Sequence, residues 1–172
     1  MTDSEMPSWL EREDFACREE RLARLESLAL LMPNAEHLLF PGGWVAKHLF
    51  EEARYCFVYG QFMATIMLGM AYMERTLVAL FYAAGRSDLE RANISRLLGE
   101  AVRNGWLDQA EFEQLDQSRV VRNAITHFRR PMDESTIEYR SVTQEDMPNS
   151  ILEEDARHVL LASFHILAKG AI

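Results

Sequence analysis

The chain is predicted to be an all-α protein, and three observations carry the prediction. The five prolines, Pro7, Pro33, Pro41, Pro131 and Pro148, leave residues 42–130 without one, so the strongest helix breakers sit at the edges of a long block. Within that block large apolar residues recur at three- and four-residue spacing, as on one face of a helix. No stretch of useful length alternates apolar and polar residues as a half-buried strand does.

The elements follow in chain order. Ser8 reads as the first N-cap, with Glu11 three residues on as its capping-box partner. The helix it opens has an apolar stripe of Leu22, Leu25, Leu28, Ala29 and Met32 and ends at Pro33 and Asn34. Its other face is charged: residues 1–30 hold eight acids against four arginines. Residues 1–43 are therefore expected to be an N-terminal helical arm with a connection, from Leu38 to a Pro41-Gly42-Gly43 turn, and residues 44–172 the main helical domain. A second helix is expected over residues 44–56, after which Gly60 is expected to mark a break, with one continuous longer helix as the alternative.

Residues 61–84 are the most apolar part, with Phe62, Ile66, Met70, Met73, Leu77, Leu80 and Phe81 at helical spacing. Glu74 and Arg75 lie mid-helix, where each would cost about 3 kcal/mol in lipid. A central core helix is expected rather than a membrane span, with methionines as adaptable core filling. Glu74 and Arg75 then read as a buried polar pair or a dimer contact. Gly85 ends this helix. Asn93 caps a short one that turns Ile94, Leu97, Leu98 and Val102 inward, and Asn104-Gly105 closes it. Asp108 and Glu111 form another capping box, opening a helix that packs through Phe112 and Leu115. Residues 131–149 read as an acidic loop with a short extended piece over 136–142. Ser150 and Glu153 cap the last helix, whose Val159, Leu160, Ser163, Phe164 and Leu167 face inward.

A chain of 172 residues, 48% hydrophobic and 26% charged, is large enough for one real core and too apolar to be disordered. A net charge of -9 argues against a general nucleic-acid coat protein, which usually needs a broad basic surface, but leaves room for a small basic site. Cys17 and Cys56 stand in no metal-like spacing and read as buried free thiols in a reducing cytosol. The N-terminus has neither a basic flank nor an apolar run, so no signal peptide and a cytoplasmic location are expected. His158 and His165 lie seven apart on the last helix with no carboxylate–histidine cluster beside them, and read as packing or surface residues. His37 and His48 belong to no motif. No glycine-rich phosphate loop, H-E-x-x-H, G-x-S-x-G or C-x-x-C occurs, and neither metal nor cofactor is expected.

One stretch departs from the acidic background. Residues 119–130 read R-V-V-R-N-A-I-T-H-F-R-R, with four arginines and no acid. On a helix, Val120, Val121, Ala124, Ile125 and Phe128 share an apolar face that would join the core. Arg119, Arg122, Asn123, Thr126 and His127 share the polar face. Asn123 and His127 are one turn apart, while Arg122 and His127 sit on opposite shoulders, placed to flank a phosphate. Pro131 stops the helix, which leaves His127 in its last turn, where the helix dipole favours an imidazolium.

Arg122-Asn123-Ala124-Ile125-Thr126-His127 is an R-N-x-x-x-H motif near the end of a helix in an all-helical chain. Over roughly residues 50–170 the chain resembles the HEPN superfamily, in motif and helix order, with Glu74 as the acidic residue of an upstream apolar helix. The resemblance implies an up-and-down bundle of four to five core helices that forms a homodimer, with two motif copies facing each other across a cleft. It further implies a metal-independent endoribonuclease or a member without catalysis that binds RNA or protein. A toxin–antitoxin or phage-defence setting, with an antitoxin or regulatory partner, goes with it.

The chemistry suits the residues. RNA cleavage without metal needs a base for the 2′-hydroxyl, an acid for the leaving 5′-oxygen and positive charge on the phosphorane. A histidine can supply either proton step and an arginine the charge. His127, Arg122 and Asn123 are thus the catalytic candidates, with Arg119, Thr126, Arg129 and Arg130 as RNA contacts. Where paired toxins of the superfamily carry a tyrosine two positions after the histidine, this chain has Arg129. A plainer alternative makes the motif a helix end, with His127 capping carbonyls and Arg122 paired to acids of residues 131–146.

Overall fold

The chain is helical between its breakers. A computed structural model describes residues 6–32, 39–130 and 132–169. Among these, eight α-helices follow in order: α1 Met6–Ala16, α2 Arg18–Leu31, α3 Gly43–Val58, α4 Phe62–Ala83, α5 Ile94–Arg103, α6 Gln109–Thr126, α7 Ile137–Gln144 and α8 Pro148–Lys169. A single 3-10 turn at Ser87–Leu89 joins α4 to α5, and no strand occurs among the described residues.

α4 is the centre because apolar and small residues run round most of it. Phe62, Ile66, Met70, Met73, Leu77 and Phe81 of the expected stripe are buried, and so are Thr65, Gly69, Tyr72 and Thr76 beside them. α3, α5, α6 and α8 pack against it. Among the described residues α4 is the one helix long and apolar enough to cross a membrane, and here it is the core of a bundle. Gly60 breaks the chain between α3 and α4: its φ of 73° suits glycine, and an added Cβ would stand 3.3 Å from the Arg24 guanidinium.

α8 crosses α4 closely at Gly69. A Cβ there would lie 2.7 Å from Val159 Cγ1 and 3.3 Å from Ser163 Oγ. Gly69→Ala is therefore expected to destabilise the fold by about 1–3 kcal/mol through overpacking. A fall in the urea midpoint at constant m checks it.

α6 is started by the expected capping box. The Asp108 carboxylate accepts the Glu111 N–H at 2.8 Å, and the Glu111 carboxylate accepts the Asp108 N–H at 2.9 Å. Glu111 also pairs with Lys169 at 2.8 Å, tying the start of α6 to the end of α8. Lys169 and the capped N–H hold the Glu111 carboxyl below its ordinary range. Its folded value is the lower one, so this contribution is complete above the unfolded glutamate range and is lost as pH falls through the depressed value. Asp108→Ala is expected to cost about 1 kcal/mol, read as a lower melting temperature.

The arm is fastened by charge. Arg24 on α2 is buried, bonds both Glu153 carboxylate oxygens of α8 at 3.2 Å, and lies 5.0 Å over the Phe62 ring. Arg157 bonds Ser27 and covers the Phe57 ring.

The structure corrects the sequence reading at several places. Ser8 lies inside α1, which is already helical at Met6, so it is not a cap; a second helix starts after Cys17. Leu22, Leu25 and Ala29 are exposed, and of the expected stripe only Leu28 is buried, because α2 is seated through Arg24 and Leu28. Cys17 is exposed and Cys56 half-buried, with burial and Glu52 raising the Cys56 thiol. Residues 136–142 are not extended. Thr136 caps α7 by accepting the Tyr139 N–H at 3.2 Å, and the capped turn continues as helix. α8 starts at Pro148, a favoured first-turn residue, so Ser150 is internal and Glu153 serves Arg24 instead. Glu74 is half-buried and Arg75 exposed; they do not pair, and Arg75 donates to the Gly42 carbonyl at 3.0 Å. Pro33, Asn34, His37, Leu38 and Pro131 lie outside the described residues.

Candidate functional site

The R-N-x-x-x-H motif occupies the end of α6. The helix stops at Thr126, and His127 is its C-cap, with extended φ −116° and ψ 132° and its N–H bonded to the Asn123 carbonyl at 3.1 Å. The capping is by backbone, so the imidazole stays exposed. The Thr126 hydroxyl donates to the Arg122 carbonyl at 3.0 Å.

The buried arc of α6 is turned from the expected one. Leu115, Ser118 and Val121 point into the core, Arg122, Asn123, Ala124 and Ile125 are half-buried, and Val120 is exposed. Packing against α4, α5 and α8 decides this arc, and it reaches past the apolar residues to Arg122. Phe128, expected on the apolar face, is 90% exposed. The helical rotation ends one residue before it, at the extended His127. The pre-proline restriction reaches only Arg130, so the earlier stop at Thr126 had no signal in the sequence.

Several of the chain's arginines are spent on carboxylates. Arg24, Arg86, Arg140 and Arg157 are all held by carboxylates. Arg119 is held too, through a two-pronged bond to Asp116 at 2.6 and 3.0 Å that raises its pKa and occupies its fork. Arg122, Arg129 and Arg130 make no ion pair among the described residues, and the Arg122 Nε is buried with no hydrogen-bond partner. Arg12, Arg18, Arg54, Arg75 and Arg91 make no ion pair among the described residues either; Arg54 Nε is likewise buried without a partner, though its guanidinium lies 5.6 Å over the Phe50 ring, and Arg75 donates to the Gly42 carbonyl. Three arginines at the end of α6 are therefore without an ion pair among the described residues, with Asp133 as the acid near Arg129. Arg122 has no acid from residues 132–146; that segment instead sends Arg140 to Asp155.

Beside the helix end is an open cleft of about 610 Å³. Met63 from α4, Ile125 from α6 and Tyr139 and Val142 from α7 line it, with Phe128 and Met132 of the joining segment. His127, Arg129 and Arg130 bound it; Arg122, Asn123 and Arg119 do not. Sequence reasoning missed the α7 wall, because it rests on a long-range fork: Arg140 donates to both Asp155 oxygens at 2.7 and 2.9 Å. Asp155 is nearly buried, and its bonds raise the Arg140 pKa.

The other candidates stand apart. Glu74 lies eleven residues along α4 from Met63, about 16 Å of helix. With Arg75 it lines a separate groove that also takes in Glu90 and Arg91. His158 is 2.9 Å from the Gln114 carbonyl, a contact between α8 and α6, and His165 is exposed. Among the described residues no three His, Cys, Asp or Glu side chains converge. No protein-family model, no curated protein and no solved structure matches this chain.

Proposed function

We propose that the chain is a HEPN-like endoribonuclease that needs no metal, with Arg122 and His127 as its catalytic pair. The observation that carries this reading is the cluster of charge at the end of α6, where Arg122, Arg129 and Arg130 make no ion pair among the described residues and His127 is open to solvent. An unspent guanidinium and an accessible imidazole are the two groups phosphodiester cleavage asks for.

In the reaction a base removes the proton of the RNA 2′-hydroxyl, whose oxygen attacks the adjacent phosphorus. The bond to the 5′-oxygen breaks and that oxygen takes a proton from an acid, leaving a 2′,3′-cyclic phosphate. One His127 serves one proton step. Within one chain Arg122 and His127 do not open onto a common cleft, so a second copy would bring the complementary pair, and the functional unit in this reading is a homodimer. Asn123 orients the chain end. Arg129 and Arg130 steer the strand, Thr126 adds a hydroxyl, and Arg119 contributes little because Asp116 occupies it. A toxin–antitoxin or defence role, with a regulatory partner in the cytoplasm, is the setting of this reading.

The apolar lining of the cleft favours a second reading, a non-cleaving module that binds RNA or protein there. Incubating a labelled, unstructured RNA panel with the protein in EDTA separates the two. Cyclic-phosphate ends from wild type and none from His127→Ala support the nuclease; binding with no cleavage by wild type supports the module.

A further inference from the structure

We infer that Phe128 and the cleft beside it form a stacking subsite for an unpaired base of single-stranded RNA, next to the Arg122/His127 phosphate site. The inference takes its location from the nuclease reading but not its chemistry.

Phe128 is exposed to 90%, more than any other large apolar side chain among the described residues. Met63, Met132 and Val142 of the same cleft are exposed too, so the ring belongs to a contiguous apolar patch rather than standing alone, and such a patch marks a binding surface. Its neighbours decide the ligand class. His127, Arg129 and Arg130 flank it along the chain and are all exposed, so one aromatic face is interleaved with an imidazole and two guanidiniums. Glu138 is the one acid on the wall, and Asp133 is close enough for Arg129 to help depress its carboxyl. Arg130 keeps its charge without an acidic partner among the described residues.

This pattern fits a base lying on the ring with its phosphates on the arginines, the arrangement by which proteins hold single strands without reading sequence. An apolar protein segment would use the floor of the cleft but leave the arginines unanswered. A duplex offers its phosphates but keeps its base faces stacked. The net charge of -9 adds a reason. The rest of the surface repels RNA, so a few cations alone give weak, salt-sensitive binding. Stacking supplies affinity that salt does not screen. The subsite lies one residue from the imidazole, about 3.8 Å between α-carbons, so a base held there sets the register of the phosphate His127 meets.

The test uses the full chain and a fluorescein-labelled 2′-O-methyl octauridylate, which cannot be cleaved by 2′-hydroxyl attack. Anisotropy is read across a salt series, alone and with the probe paired to its complement. Wild type is expected to bind the single strand and not the duplex. Phe128→Ala is expected to weaken binding about 5- to 150-fold with the salt slope unchanged. Phe128→Trp should keep it. Arg129→Gln with Arg130→Gln should instead lower the slope by about 0.7 per arginine. Phe128 lies outside the core, so circular dichroism should be the same for all variants.

The inference fails if wild type does not bind the probe, if Phe128→Ala binds as wild type does, or if the duplex binds equally well. It also fails if Phe128→Ala changes the mass in light scattering, which would make the cleft a contact between copies. The two readings separate cleanly. A wild type that cleaves no RNA but binds through Phe128 removes the nuclease and keeps the subsite. One that cleaves while Phe128→Ala binds normally does the reverse.

Discussion

Replacing His127 with alanine is expected to lower RNA cleavage by roughly 10²–10⁴-fold, the range that a positioned acid or base supplies. Fold and melting temperature should be unchanged, because the imidazole is exposed and its backbone N–H, which does the capping, is kept. Arg122→Ala should lose about 10²–10³-fold, as when a donor to a developing oxyanion is removed. It should cost little stability, since the buried Nε has no partner to lose. Arg122→Lys keeps the charge but not the fork, and should recover only part of the rate. Arg119→Ala is the control: its guanidinium is spent on Asp116, so the rate should change by less than about tenfold. Single-turnover cleavage of one labelled RNA by the four variants gives all these numbers. A full loss in Arg119→Ala with normal rates in His127→Ala would move the site one turn back along α6 and remove the present assignment.

Asp155→Asn is expected to have the largest effect on stability, about 3 kcal/mol or more. It leaves the half-buried Arg140 charge with one weak acceptor in place of a two-pronged carboxylate. The effect should be local first. α7 has no buried residue of its own, so this fork is its main attachment to α8. Hydrogen exchange across residues 137–144 should therefore rise more than exchange in α4. A double replacement, Arg140→Met with Asp155→Leu, should restore most of the stability, because the cost lies in the unpaired charge rather than in the missing pair. The cleft loses a wall when α7 loosens, so octauridylate binding should weaken in Asp155→Asn and recover in the double variant.

The motif at the end of α6 was legible because it is local. Charge contrast, spacing and helix position need only the order of residues, and Arg122, Asn123 and His127 can be named from that. The contents of the cleft are not local. Met63 and Val142 are about eighty residues apart in the chain and meet only because α7 is drawn to α8. Nothing near Arg140 says that its partner is Asp155.

What the sequence determined by itself is the helical class and most of its boundaries. Gly60, the Asn93 cap, the Asp108–Glu111 box and the apolar run of α4 act through backbone geometry and hydrogen bonds within a few residues, and each appears as expected. Tertiary structure decided which faces are buried and which charges are spent. Leu22 and Leu25 lie on the expected stripe of α2, yet buried Arg24 seats that helix, because Glu153 and the Phe62 ring offer it more than they offer a leucine. The same rule holds at the end of α6: Arg119 found a carboxylate one turn away, and Arg122 found none among the described residues. A guanidinium is a functional candidate only when its charge is left over, and what is left over depends on every acid the fold brings near.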